Sequence, residues 1–461
     1  MRITIESKFF LPICLLYLIS QSTCSKKADF LNEKPNASLS TISSLDDCQK
    51  LLNNEAVFNT FDPGLGQVST DDFYLTNSDW NLCTQSERNA YIWSKSVYPA
   101  GQVVQDWAAP YKQIWYANNV IDAIKAFNLP AEQATAGNQL RGAAIFFRSI
   151  AFYNLLQVFA RPYNSVTART DLGVPIRLSS DLNLPSVRST VQECYDEIIN
   201  DLSVAFPLLP ATPSSPTQPS QAAVNGLLSR LYLVMGKYDL ALQACKDCLS
   251  ANSSLVDFNS ISPANNTLIT SGFLKEDIYH STMYAYLSVV PALLAKVDSN
   301  LYMSYATNDL RRSVYFISKN GLPYFRGSYD KRANGYSGIA VDEIYLTMAE
   351  CEARLGNITN AMTDLNTLLV KRWKTGTYQP YSASTTSDAL TLILKERRKE
   401  LLFRGVRWSD LRRLNFDNTT AITILRVLNG QTYTILPNDP RYVLPIPDDE
   451  ISLSGIEQNP R

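Results

Sequence analysis

Apolar residues recur along much of this chain with the spacing of an α-helix. Over four long segments, 111–160, 190–249, 341–372 and 388–415, they return every three or four positions, which predicts amphipathic helices. At the start of one helix Thr190 precedes Glu193 by three residues, the arrangement of a capping box. The pattern therefore predicts a mainly α protein in which each segment supplies a helix pair.

An internal repeat relates two of these helix pairs. The stretch from Gly236 to Ala241 lines up with the stretch from Gly356 to Ala361, and a helical pattern precedes and follows each glycine. Glycine lets the chain turn, and a small alanine lets the two helices of a pair touch, as in tetratricopeptide repeats. Because the copies are far apart in the sequence, we predict separate tetratricopeptide-like pairs with long insertions between them and not an open solenoid.

Two segments, 62–110 and 256–336, interrupt the helical pattern. Both place single aromatic rings among Gly, Pro, Ser, Asn and Asp, which is typical of loops and short strands. Loops on a rigid scaffold often carry binding sites, so we predict loop-rich, partly β insertions that form a second, ligand-binding layer. The alternative is that the rings only pack the loops against the core. The candidate ligand-binding residues are Asp71, Asp72, Tyr74, Trp80 and Asn81, with Tyr284, Tyr286, Tyr324 and Tyr329.

The most highly charged helical segment is 393–415. A helix runs to Gly405, and a shorter helix follows over 406–414. Arginines and carboxylates lie among Trp, Leu and Phe in this segment, a composition that favours guanidinium forks on carboxylates at a packing surface. We predict that its role is structural and that it does not bind a ligand. The residues concerned are Glu396, Arg397, Glu400, Gly405, Arg407, Trp408, Asp410 and Arg413.

The amino terminus has the pattern of an export signal. Residues 1–23 contain a weakly positive start and an apolar run, 9–19, that is too short to span a bilayer. Small residues then precede Cys24, so we predict cleavage before Cys24 and lipidation of its thiol; the alternative is an ordinary secretory signal with a buried Cys24. Residues 24–36 are polar and predict a tether, and residues 37–461 are the predicted folded domain.

The amino-acid composition limits the kinds of binding and catalysis that the protein can perform. The chain of 461 residues has a net charge of -1, which does not favour the broad basic surface that nucleic acid needs. The single histidine, His280, excludes multi-histidine metal sites, and we take it as evidence against Ser-His-Asp and Cys-His chemistry. We predict no catalytic residue, no metal site and no cofactor.

The charged segment resembles the signature of the SusD/RagB family, the outer-membrane nutrient-binding lipoproteins of Bacteroidota. Residues 396–413 follow the family pattern except at Arg404, where the family usually has Glu, and the ending of the chain, 444–460, also resembles the family. This resemblance covers nearly all of the mature chain. It implies a SusD-like fold, with the helical scaffold mainly at 37–61, 111–249 and 341–415 and the ligand-side insertions between them.

The resemblance also implies a function. Such a protein captures a nutrient, here expected to be a glycan, at the cell exterior and passes it to a SusC-type TonB-dependent transporter in the outer membrane. Acylated Cys24 would hold it to the membrane lipid. Three alternatives stay open: an oligopeptide-binding protein of the RagB branch, a tetratricopeptide adaptor for protein partners, and a surface glycosidase, which needs two carboxylates about 5–10 Å apart.

Overall fold

A computed structural model describes residues 42–261, 272–327, 329 and 334–461. The signal peptide, Cys24 and the tether lie outside the described residues, so the expectations for them stay predictions. The helices, in chain order, are α1 (Leu45–Leu52), α2 (Glu55–Phe58), α3 (Leu65–Val68), α4 (Asn77–Leu82), α5 (Gln85–Tyr91), α6 (Gln105–Ala126), α7 (Ala134–Phe159), α8 (Val191–Ala205), α9 (Gln221–Val234), α10 (Tyr238–Ala251), α11 (Ser299–Met303), α12 (Arg311–Val314), α13 (Val341–Arg354), α14 (Ile358–Leu369), α15 (Thr386–Glu400), α16 (Arg407–Leu414) and α17 (Asp448–Ser454).

Short strands connect the helices. They are β1 (Thr60–Asp62), β2 (Phe73–Tyr74), β3 (Leu172–Pro175), β4 (Arg188–Thr190), β5 (Asp277–Tyr279), β6 (Thr282–Met283), β7 (Lys296–Val297), β8 (Phe316–Lys319), β9 (Leu322–Phe325), β10 (Ile339–Ala340), β11 (Ile424–Leu428) and β12 (Gln431–Ile435). The prediction of a mainly α fold is confirmed, since the strands form only small two-stranded sheets.

The longest helix, α7, lies in the core. It is long and apolar enough to cross a membrane, but its most apolar window is 89% buried inside the protein, so it is a core helix. α6 and α8 pack against it. At its carboxyl end the buried guanidinium of Arg412 donates to the carbonyls of Leu156 and Ala160, and this places a positive charge where the helix dipole is negative.

The predicted repeat corresponds to two helix pairs, α9 with α10 and α13 with α14. The chain turns between the helices at Gly236 and Gly356, whose φ angles of 70° and 86° are favourable only for glycine. Ala241 and Ala361 are completely buried where the helices of each pair touch. α10 also packs on α13, so the two copies are adjacent in space although they are distant in sequence.

The sequence misplaced some boundaries in the first insertion. α6 begins at Gln105, before the predicted start at 111, and it contains Pro110. Four shorter helices lie before it, between Glu55 and Tyr91. Capping boxes start two of them, at Thr76 and Thr84, and each side chain satisfies backbone N–H groups that a short helix leaves free.

Strand pairing joins the two insertions into one layer. β1 pairs with β6 in parallel, and β2 pairs with β7 in antiparallel orientation. Each pair takes one strand from 62–110 or its edge and one from 256–336. The predicted second layer is therefore formed by both insertions together.

The segment 393–415 is buried, as the sequence predicts. Arg413 binds Glu350 through two bonds of 2.6 and 2.7 Å, and Arg397 binds Asp410 at 2.8 Å. Arg404, where the family usually has Glu, finds its partner in Asp342 at 3.0 Å. Arg404 is thus paired with a carboxylate within the buried core.

Trp408 tests the structural role of this segment. Its side chain is 2% exposed and stacks on Tyr442, with 4.7 Å between ring centroids. Trp408→Ala should lower the free energy of unfolding by about 3–5 kcal/mol, because it empties a tightly packed site. Urea denaturation measures this, with Leu453→Ala as the control since Leu453 is 87% exposed. Equal stability of the two variants would contradict the structural role.

Candidate functional site

Trp80 is a half-buried ring held between two short helices. Its Nε1 donates to the carbonyl of Arg88 at 3.2 Å, and the Arg88 guanidinium lies over the ring, 5.6 Å from its centroid. Arg88 also donates to the carbonyl of Asn81 at the end of α4. Arg88 therefore fixes the indole, and part of the ring remains exposed, an arrangement suited to stacking on a ligand.

Exposed polar and apolar groups adjoin this ring. Asn81 is exposed, and its side-chain amide makes no hydrogen bond to the described part of the chain. Leu82 is 65% exposed. Asp79, on the same helix, forms an ion pair with Lys296 of β7. Burial alone would raise the pKa of the Asp79 carboxyl, but hydrogen bonds from Lys296 and Thr76 lower it below its ordinary value.

A second aromatic pair lies where β1 meets β6. Tyr284 is half-buried, and its ring centroid is 5.6 Å from that of Phe61. Phe61 is 37% exposed, and its backbone φ is 77°, a value that residues other than glycine rarely adopt. The sequence did not identify Phe61. The strained backbone that directs its ring depends on the β1–β6 pairing, which is not a local signal.

α5 contacts Trp80 and the loop that carries Tyr284. Arg88 of α5 covers Trp80, and Glu87 accepts hydrogen bonds from the backbone N–H and hydroxyl of Ser288 at 2.8 and 2.9 Å. Ser288 follows Tyr284 in the same loop. Of the predicted ligand residues, Asn81 is exposed, and Trp80, Tyr284 and Tyr74 are half-buried.

Four predicted ligand residues are buried, and their assignment to a ligand surface is wrong. Their exposures are 1% for Asp72, 7% for Tyr286, 9% for Tyr324 and 2% for Tyr329. Tyr286 donates to buried Asp106, and Tyr329 stacks on Tyr336, with 4.7 Å between the ring centroids. These rings pack the layer, which is the alternative that the sequence left open.

Asp71 is also occupied by protein groups. Arg407 donates two hydrogen bonds of 2.8 Å to its carboxylate, and Arg398 forms an ion pair with it at 3.0 Å. Burial would raise the pKa of Asp71, but the two guanidinium groups hold it well below its ordinary range. Burial and the neighbouring Asp71 charge instead raise the pKa of Asp72. This pair fastens the first insertion to the buried segment 393–415.

The described chain also contains a cavity apart from these rings. A cavity of about 470 Å³ lies between the ends of α7 and α16 and contains none of the predicted ligand residues; its lining includes Arg161, Arg188, Asn415, Asn438 and Tyr442. No group of three or more His, Cys, Asp or Glu side chains is placed to hold a metal ion within the described residues.

Two family models match this chain. Residues 29–233 match a model described as "Starch-binding associating with outer membrane", and residues 330–461 match one described as "SusD family". A curated relative, "SusD-like protein P2" from Formosa agariphila, is 24% identical over 423 residues, which span 76% of this chain and 78% of the relative.

Solved structures share the fold. A putative sugar-binding protein from Bacteroides vulgatus has a TM-score of 0.75 at 21% identity, covering 91% of this chain and 99% of its own. A SusD superfamily protein from Bacteroides thetaiotaomicron has a TM-score of 0.70 at 25% identity, covering 91% and 100%. The surface glycan-binding protein A of Bacteroides uniformis has a TM-score of 0.71 at 16% identity, covering 90% and 99%. At the lower identities the likeness concerns the fold alone.

The buried carboxyl of Asp106, which bonds to Tyr286, should make the free energy of unfolding depend on pH. Its carboxylate accepts from the backbone of Leu65 at 2.8 Å and from Tyr286. Burial raises its pKa from 3.8 to about 6 although these bonds oppose the shift. The native state therefore holds the proton more tightly than the unfolded chain, and Asp106 destabilises the fold progressively as the pH rises through this interval.

Asp106→Asn should remove this pH dependence. Relative to wild type, the variant should gain about 2 kcal/mol in free energy of unfolding between pH 4 and pH 7. Urea denaturation at several pH values measures the difference, with Asp448→Asn as the control because Asp448 is exposed. A gain that does not change with pH would show that Asp106 is ionised throughout.

Proposed function

The chain belongs to the SusD/RagB family, and from that membership we propose that it is a surface glycan-binding lipoprotein of the outer membrane. It captures an oligosaccharide and delivers it to a SusC-type TonB-dependent transporter. The family model over the first half of the chain is described as starch-binding, and two solved relatives are described as sugar- or glycan-binding. These descriptions support the ligand class.

The observation that carries the proposal is the Trp80 platform. A half-buried indole, fixed by Arg88, is followed along α4 by the exposed amide of Asn81. Sugars have apolar faces that stack on aromatic rings and hydroxyls that bond to amides. The half-exposed pair of Tyr284 and Phe61 supplies a second stacking surface for a longer oligosaccharide. The loop that carries Tyr284 is bonded to α5 through Ser288 and Glu87.

The proposal does not include catalysis. A glycosidase needs two free carboxylates across the scissile bond. Around the candidate rings, Asp71 is paired with Arg407 and Asp79 with Lys296. Both carboxylates have lowered pKa values, which suits an ion pair and not a proton donor.

Removing the rings should weaken glycan binding. Trp80→Ala and Tyr284→Ala should each cost about 1–3 kcal/mol in binding free energy, because each loses a stacking surface. Affinity should change little with salt, since the proposed contacts match no dense charge. Isothermal titration calorimetry against a panel of glycans and peptides measures both effects.

A matched control is available on the helical scaffold. Tyr238→Ala removes a half-buried ring of α10, outside both insertions, and should bind like wild type. If the Trp80 and Tyr284 variants also bind like wild type, the site is elsewhere. Tight peptide binding without glycan binding would indicate the oligopeptide function, and turnover of any glycan would contradict the non-catalytic proposal.

Membrane attachment is tested at Cys24. Cys24→Ala should move the protein from the membrane fraction to the soluble fraction, because the acylated thiol is the proposed anchor. Cys14→Ala is the control, since Cys14 lies inside the apolar run of the signal and would be removed with it. A Cys24→Ala protein that still fractionates with the outer membrane would show that another feature anchors it.

A further inference from the structure

A groove lies between α6, the segment 175–187 and the start of α17. Its cavity of about 360 Å³ is lined on the α6 side by Trp107, Tyr111 and Trp115, and on the other side by Leu182 and Leu184. The three rings are four residues apart in α6, so they lie along one side of that helix. We call the surface formed by these five residues the apolar groove.

The segment facing the rings is fixed by hydrogen bonds from α6. Asn118 donates to the carbonyls of Arg177 and Ser179 at 2.9 and 3.2 Å, and Asp122 accepts from the backbone N–H of Ser180 at 2.9 Å. Two of the rings add bonds to carbonyls of the same segment, from Tyr111 to Pro175 and from Trp115 to Ser180. The segment thus has a defined position although little of it is helix or strand.

This fixed segment presents large apolar side chains to solvent. Leu182 is 72% exposed, Leu184 48% and Val187 70%, and Val103 at the groove edge is 59% exposed. Scattered exposed residues of this kind are common, but a cluster around an apolar groove is typical of a protein interaction site. Covering these side chains would be favourable at about 25 cal/mol per Å² of apolar surface.

The groove has an acidic rim. Asp449 and Glu450 of α17 contribute to its lining, and Asp181 and Asp448 are exposed beside it. Arg177 is the one cation among the described residues that line the groove, and its guanidinium is already bonded to backbone carbonyls within the segment. A basic partner is therefore complementary to this surface, whereas an anionic membrane surface is not.

We propose that the apolar groove docks a polypeptide segment of a partner protein whose bulky apolar side chains are flanked by Lys or Arg. The apolar side chains pack against half-buried Trp115 and exposed Leu182 and Leu184, and the basic groups meet the α17 carboxylates. This surface is separate from the Trp80 platform and goes beyond the proposed glycan-binding function, so either proposal can fail without the other.

The test uses the full mature chain and two synthetic amphipathic peptides, one of Leu and Lys and one with Glu at every Lys position. Calorimetry should show that the Leu/Lys peptide binds at least about tenfold tighter. Leu182→Asp combined with Leu184→Asp should reduce this binding about tenfold or more. Asp449→Lys combined with Glu450→Lys should reverse the preference between the peptides.

The control is Leu425→Asp combined with Val427→Asp, which changes side chains that are 63% and 68% exposed on the β11–β12 hairpin. It should bind the Leu/Lys peptide like wild type, and all variants should keep wild-type glycan affinity. Equal loss in the groove and control variants would overturn the proposal, as would equal binding of both peptides. Dimerisation of the protein that depends on Leu182 and Leu184, or their requirement for flotation with phosphatidylglycerol vesicles, would also overturn it.

Discussion

Glu400 lies between two buried guanidinium groups, and this arrangement joins the scaffold to the second insertion. Its carboxylate binds Arg372 at 2.6 Å and Arg311 at 3.0 Å, and Arg372 also binds Glu276 at 2.9 Å. These side chains are 0–1% exposed. Removing such ions from water costs several kcal/mol each unless every charge is paired. Any displacement of the insertion would leave charges unpaired, so its position relative to α15 is tightly specified.

The first insertion is held by the same segment of the chain through Asp71 and Arg407. Arg426 adds to this attachment, because its guanidinium donates to the carbonyls of Tyr91 and Thr70 and lies 3.6 Å from the Tyr91 ring centroid. The segments that carry Trp80 and Tyr284 are therefore both attached to the rest of the fold through buried charged side chains. Their order comes from charged side chains of the helical scaffold, which explains why a segment without ligand contacts matters for the site.

The sequence predicted the parts of this fold that depend on local signals. Helical periodicity, the glycine turns at 236 and 356 and the capping box at Thr190 all involve residues close together in the chain. Ring exposure could not be predicted in this way. Tyr329 and Trp80 both lie among polar residues, and each has a guanidinium over its ring, that of Arg404 for Tyr329 and that of Arg88 for Trp80. Tyr329 is nevertheless 2% exposed, whereas Trp80 is only half-buried. Burial of each ring depends on a distant partner that sequence spacing does not reveal.

α6 connects the proposed glycan site and the apolar groove. Near its first turn Asp106 binds Leu65 and Tyr286, below the loops of the proposed glycan site. Farther along, Asn118 and Asp122 hold the segment that borders the apolar groove. With 22 residues, the helix is about 33 Å long at 1.5 Å per residue, and its interior packs on α7. Because both surfaces are fastened to one rigid helix, a glycan at one and a polypeptide at the other would be held at a set distance, without any need for a conformational change between them.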